Sequence, residues 1–353
     1  MPRSKKHLFA GPASLVAILF LAAFSGSAGL AAPQDNQNSK SQPASQSSAQ
    51  KNPGQTASHP SAAGNGVAGA HKTFSSAQDA AAALYSAARS HDESAMVVIL
   101  GPSSRELVEW IDDPTMRSSD IDLFVQKYDQ MHRLVHEPDD ETTLYVGAEN
   151  WPLPIPIVEK NGGWYFDSAM GKREITFRRI GENEMDATES LHALVDAEND
   201  YYTQMADSSG MREYAARFSS SDGKHDGLYW PQGSNSANSE ECPLGPYMAQ
   251  ASYDRPNRKP LHGYYFRLLT EQGPKARGGA RSYIADGKLT EGFAFVAFPA
   301  EYRSSGIETF VVNDSGIVYE KNLGPMTAQI AASMKAYNPD STWVRVRRPL
   351  GVF

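Results

Sequence analysis

Hydrophobic periodicity changes along this chain, from a spacing of three to four residues to strict alternation, and that switch confines it to an α+β architecture. Helical signals come first. Ser75 and Gln78 form a capping-box pattern ahead of an Ala-rich helix over 79–90, and a short segment over 93–100 ends at Gly101. Ser103 or Ser104 caps a helix to Ile111, and Ser119 caps another over 120–136. The period then shortens: 143–146 reads as a strand, and 153–159 and 164–167 flank Asn161-Gly162, a strong hairpin signal. Pro152, Pro154 and Pro156 lack N–H groups on one side, which places their segment at a sheet edge or in a polyproline-like run with Leu153, Ile155 and Ile157 toward the core. Two more helices follow. One covers 171–180 and stops at Gly181; the other starts at an Asn183 cap and buries Leu191, Leu194, Val195, Tyr201, Tyr202 and Met205.

Residues 207–261 carry many turn residues and almost no periodicity, so they are expected to connect two domains, packed by Tyr229, Trp230, Tyr247 and Tyr253. Residues 73–206 form the expected α+β domain. Residues 262–353 form an antiparallel β domain in which Tyr264, Phe266 and Leu268 alternate, Asp286-Gly287 turns, 292–298 is an apolar strand and Asn313 to Gly316 closes a second hairpin. Pro325 opens a C-terminal helix running to about Tyr337.

The first 72 residues are expected to lie outside this fold. Arg3, Lys5, Lys6 and His7 precede an apolar stretch to Phe24, and Ala28 and Ala31 each have a Gly two positions upstream, so 1–32 reads as a cleaved signal peptide. Its uninterrupted apolar run, Leu15 to Phe24, is shorter than the roughly 20 residues that span a bilayer, and no membrane span is expected after cleavage. Residues 33–72, rich in Gln, Ser, Asn, Gly and Pro, read as a disordered linker. Loss of Arg3, Lys5 and Lys6 takes the formal charge from −8 to −11, which disfavours a nucleic-acid partner. Cys242 is the sole cysteine, so stability must come from packed cores rather than an internal disulfide.

Several blocks carry a resemblance: NWPLPIPIV, GGWYFD, RRIGENE, HGYYFRLLTEQGP, GGARSYI, GFAFVAFPAEY, GIETFVVNDSGIVYEKNLG and the closing Pro339 to Trp343. Together they resemble a bacterial exported family catalogued as domain-of-unknown-function family 2950, over nearly everything from Phe74 to Trp343. The resemblance implies an envelope protein and transfers no catalytic residues. At fold level, 74–205 looks like the cone-shaped α+β domains of the nuclear-transport-factor-2-like class, which often hold a pocket between helix and sheet. Residues 262–324 look like the globular β part of minor pseudopilins, without the apolar helix that precedes it there.

Residues with chemical potential are few. His132 and His136, spaced i, i+4 on an expected helix, could meet one metal ion, with Glu137 and Asp139 following; the alternative is an exposed helix end. Lys275, Arg277 and Arg281 punctuate a glycine-rich loop that could hold an anion or be an ordinary basic turn. Arg178, Arg179, Glu182 and Glu184 read as a structural charge cluster between two helix ends. A ligand pocket in the first domain would involve Trp164, Tyr165 and Phe166, with Tyr165 on the opposite side from the other two. The expectation is a periplasmic or secreted, non-catalytic binding or assembly factor with no cofactor, whose partner is another envelope protein or a cell-wall component. The alternative is a periplasmic hydrolase using carboxylates or the His132/His136 pair.

Overall fold

The computed structural model describes residues 71–101, 103–108, 114–205, 210–230 and 242–347; the expected signal peptide and all of the expected linker up to residue 70 lie outside them. The chain divides into two compact units, Met1–Lys172 and Arg173–Phe353. Each combines helices with antiparallel sheet, so the fold is α+β.

In the first unit, helices α1 (Ala77–Arg89), α2 (Glu93–Leu100), α3 (Arg105–Val108) and α4 (Pro114–Gln130) precede strands β1 (His132–His136), β2 (Glu141–Val146), β3 (Trp151–Pro152), β4 (Ile157–Lys160) and β5 (Gly163–Phe166). The α1 cap is Ser76, whose hydroxyl accepts from the Asp79 N–H at 3.0 Å, one position later than expected. Asp92 caps α2 and Gly101, at φ 97°, ends it. Sheet order is β1-β2-β4-β5, with β3 on β2. The β4–β5 connection is the two-residue turn Asn161-Gly162, both at positive φ (56° and 75°), the geometry that suits a right-twisted hairpin. Leu144, Val146, Ile157 and Phe166 point from the sheet into a core completed by Ala80, Leu84, Phe124 and Tyr128. Phe74 exchanges two backbone hydrogen bonds with Trp164 and so extends the β5 edge.

The helix expected over 120–136 is corrected: α4 ends at Gln130 and the chain turns into β1. The Gly147 N–H donates to the carbonyls of Lys127 and Met131, tying the end of β2 to the end of α4, while β1 pairs with β2 along its whole length. Sheet pairing overrides a helical pattern that carried little propensity advantage.

Helix α5 (Ser168–Gln204) is continuous over 37 residues, so the expected stop at Gly181 and fresh start at Asn183 are also corrected. Asp167 caps it, accepting from the Ala169 and Met170 N–H groups. Its two glycines differ. A Cβ on Gly171 would lie 2.6 Å from Ile155 Cγ1, so close packing requires that glycine, whereas among the described residues a Cβ on Gly181 would meet nothing within 4 Å.

The second unit contains the rest of α5, then α6 (Pro246–Gln250), β6 (Tyr264–Leu269), β7 (Glu271–Gln272), β8 (Arg281–Ser282), β9 (Ile284–Ala285), β10 (Lys288–Leu289), β11 (Ala294–Pro299), β12 (Thr309–Asn313), β13 (Tyr319–Lys321), α7 (Thr327–Ser333), β14 (Ala336–Tyr337) and β15 (Val344–Arg345). The main sheet runs β15-β13-β12-β11-β6, entirely antiparallel, with fully buried β11 near its centre. Asp286-Gly287, again both at positive φ, joins β9 to β10. Residues Leu191, Leu194 and Tyr201 of α5 share one core with Phe218, Trp230, Met248, Phe266 and Phe295, so the described parts of 207–261 line this core rather than standing apart from it. The boundary between the two units falls at Lys172–Arg173, a different place from the division expected over 207–261. The C-terminal helix is shorter than expected. Pro325 lies in a 3₁₀ turn (Gly324–Met326), α7 stops at Ser333, the Arg267 guanidinium binds the Ala332 and Met334 carbonyls, and β14 pairs in parallel with β7.

Candidate functional site

The residues singled out for chemistry are occupied in different ways. His132 and His136 lie on a strand, where a rise of about 3.3 Å per residue separates positions four apart by about 13 Å. The His132 ring stacks on Tyr128 and its Nδ1 lies 3.0 Å from the Tyr128 carbonyl, while His136 Nε2 lies 3.7 Å from Asp140. Among the described residues no group of three or more His, Cys, Asp or Glu side chains is placed to hold a metal ion.

In the first unit, strand alternation turns Phe166 and Trp164 to one face and Tyr165 to the other. Phe166 is fully buried, Trp164 is half-buried beside Phe74, and Tyr165 packs its ring against His71 at 4.4 Å. The basic loop lies in the second unit, where a buried residue organises it. Gln272 Nε2 donates to the carbonyls of Arg277 and Gly279, and Gln272 Oε1 accepts from the Tyr283 hydroxyl. Lys275 is held through its N–H, which donates to Asn338 Oδ1 at 2.8 Å. Arg281 lies 3.6 Å from Asp314 and over the Tyr283 ring, while the Lys275 and Arg277 side chains are exposed. The loop brings these three cations into one segment, apart in sequence and in unit from Trp164 to Phe166.

The RRIGENE block has a different role from a charge cluster between helix ends, because it lies inside α5. Arg179 Nη2 donates to the Ser304 carbonyl at 3.2 Å and Asn183 Nδ2 to the Ser305 carbonyl at 2.8 Å. Glu184 Oε1 accepts from the N–H groups of Ile307 and Glu308 at 2.9 and 3.0 Å. Asp186 meets His262 at 3.0 Å and, by that hydrogen bond, raises the imidazole above its ordinary value. The contacts of Arg179, Asn183 and Glu184 clamp the loop after β11 to the helix, and Asp186 holds the residue two before β6. Burial, reinforced by Glu184, pushes the carboxyls of Glu308 and Glu320 above the usual range.

The clamp leaves two large apolar side chains of α5 exposed. Phe177, Gly181 and Met185 recur at i, i+4, i+8, with Phe177 61% and Met185 55% exposed on either side of the unobstructed glycine. A large exposed aromatic and an exposed methionine two turns apart on a helix, with a glycine between them, are the composition of contact surfaces rather than of solvated faces. Sequence reading passed over this stripe because Gly181 reads as a helix stop; the i, i+4, i+8 spacing was its visible signal. Glu198 was passed over too. It is 1% exposed, accepts from the Ala215 N–H at 2.8 Å, and burial raises its carboxyl well above the ordinary value, with that hydrogen bond opposing.

No helix among the described residues is long and apolar enough to cross a membrane. No curated protein and no solved structure matches the chain. A family model described as "Protein of unknown function (DUF2950)" matches residues 71–346, which takes in every strand and helix described above, and the chain belongs to that family.

Proposed function

We propose that this protein is exported to the cell envelope and works there by binding, as an assembly factor, with the open face of α5 as its contact surface. The observation that carries the reading is the exposed pair Phe177 and Met185 flanking Gly181 on a helix that Arg179, Asn183 and Glu184 hold to the loop before β12. Such a surface is pre-organised, because the helix is held by its own unit and orders nothing further on contact. Export rests on the basic, apolar and small-residue succession of 1–32, with a mature start expected at Gly29 or Ala32.

Two measurements test it. Mass spectrometry of the exported form reads the mature N-terminus, and recovery of intact Met1 on the product would overturn export. A photo-crosslinking side chain at position 181 in the producing cell is expected to give discrete adducts that disappear with Phe177→Asp plus Met185→Asp, whereas the same probe at exposed Asp200 gives none. Absence of adducts at 181, or adducts indifferent to the double substitution, would overturn the binding face. A second reading, carboxylate chemistry, is favoured only by the raised Glu308 and Glu320 pair beside Glu184, and hydrolytic activity lost in both Glu308→Gln and Glu320→Gln would support it.

A further inference from the structure

The open face of α5 has a symmetry that identifies its occupant. Counting from Gly181, Phe177 and Met185 stand four residues to either side, and Arg173 and Glu189 stand eight residues to either side. All five lie on one i±4 ridge of the helix, and Arg173 and Glu189 are exposed like the apolar pair between them. Resting on the binding face proposed above, we infer that the partner is a second copy of this chain, bound through the same ridge in an antiparallel crossing with its two-fold axis at Gly181.

Three observations carry this. An antiparallel two-fold maps each residue onto the position equally far on the other side of Gly181, so Phe177 meets the partner's Met185 and Arg173 faces the partner's Glu189. Opposite charges thus close both ends of an apolar centre. The glycine itself is the third. A helix-interior Gly costs about 0.5–1 kcal/mol relative to Ala. Gly171 is explained by Ile155 at 2.6 Å, but among the described residues nothing comes within 4 Å of where a Gly181 Cβ would lie. A crossing point is where two helix backbones come nearest, and a residue without a side chain is what permits it. The ridge spans about 24 Å of helix, so the contact belongs to the small-interface class below about 1,200 Å² and its dimer should dissociate in the micromolar range.

The test is sedimentation velocity of the mature chain over a concentration series, with circular dichroism as a control for folding. Wild type is expected to show a reversible monomer–dimer equilibrium. Arg173→Glu and Glu189→Arg should each weaken it by about tenfold or more, because each creates two like-charge contacts per dimer. The double exchange R173E/E189R should restore it, and Gly181→Leu should abolish it without loss of helix content. A chain monomeric at every concentration, a dimer indifferent to the single exchanges, or a double exchange that fails to recover would each overturn self-pairing. If the wild type is monomeric while position 181 still gives adducts that Phe177→Asp plus Met185→Asp removes, self-pairing fails and the binding face stands; if neither assay responds, both fail.

Discussion

At the scale of single residues, Glu198 is the most consequential side chain. A carboxyl whose pKa is raised by folding binds its proton more tightly folded than unfolded, so its penalty is absent below the unfolded value of about 4.5 and grows as pH rises through the folded value, where it levels off. Glu198→Gln keeps an oxygen for the Ala215 N–H and removes the titration. The substituted protein is expected to unfold at the same temperature as wild type near pH 4 and at a higher one at pH 8, read by thermal denaturation at both. Because His262 and Glu308 also titrate upward-shifted, the informative quantity is the difference between the two proteins rather than either curve. Glu184 acts through geometry instead. Removing its oxygen from two N–H groups in Glu184→Ala should cost about 1–3 kcal/mol in urea denaturation, and Glu184→Gln should recover most of that.

Helix α5 shows at the scale of elements how identical residues acquire opposite roles. Gly171→Ala forces a methyl into Ile155 and should destabilise by about 1–3 kcal/mol. Gly181→Ala adds a methyl to open space on a helix and should stabilise the dilute, monomeric chain by about 0.5–1 kcal/mol. Equal signs for the two would mean that the space around one of them is misjudged. Gly181 was legible as a helix breaker and nothing more, because a single glycine's propensity is small beside three tertiary contacts from Arg179, Asn183 and Glu184 that hold the flanking turns helical. The helical placement expected for the histidine pair was overturned for the same reason. His132 and His136 have a spacing that means one face of a helix or one face of a strand, and only the pairing of β1 with β2 decides which.

For the whole molecule, the irregular stretch after α5 decides how many independent bodies exist. Phe218 before the exposed turn at Asp222-Gly223-Lys224 and Leu228 and Trp230 after it are buried in one core, and Tyr229 bonds back to Phe218. A protease nick at that turn is therefore expected to leave the fragments together on gel filtration in native buffer and to separate them only in urea. Fragments that part without denaturant would instead support a division over 207–261.

What the sequence by itself determined is what a few neighbouring residues can enforce. Asn161-Gly162 and Asp286-Gly287 demanded positive φ and made hairpins, Gly101 ended a helix, and the alternation of Tyr264 and Phe266 set which side of β6 is buried. The family-specific blocks likewise identified a chain of this kind before any contact was known. The tertiary structure decided the rest: the end of α4, the unbroken length of α5, the use of RRIGENE as a clamp, and the burial of residues from the irregular stretch. Local preferences differ by about 1 kcal/mol or less per residue, whereas burial of a large side chain is worth about 1.5–3 kcal/mol and each cross-strand pair along a ladder adds about 0.2–1 kcal/mol. Where the two disagree the distant partners win, and those partners cannot be read from residues next door.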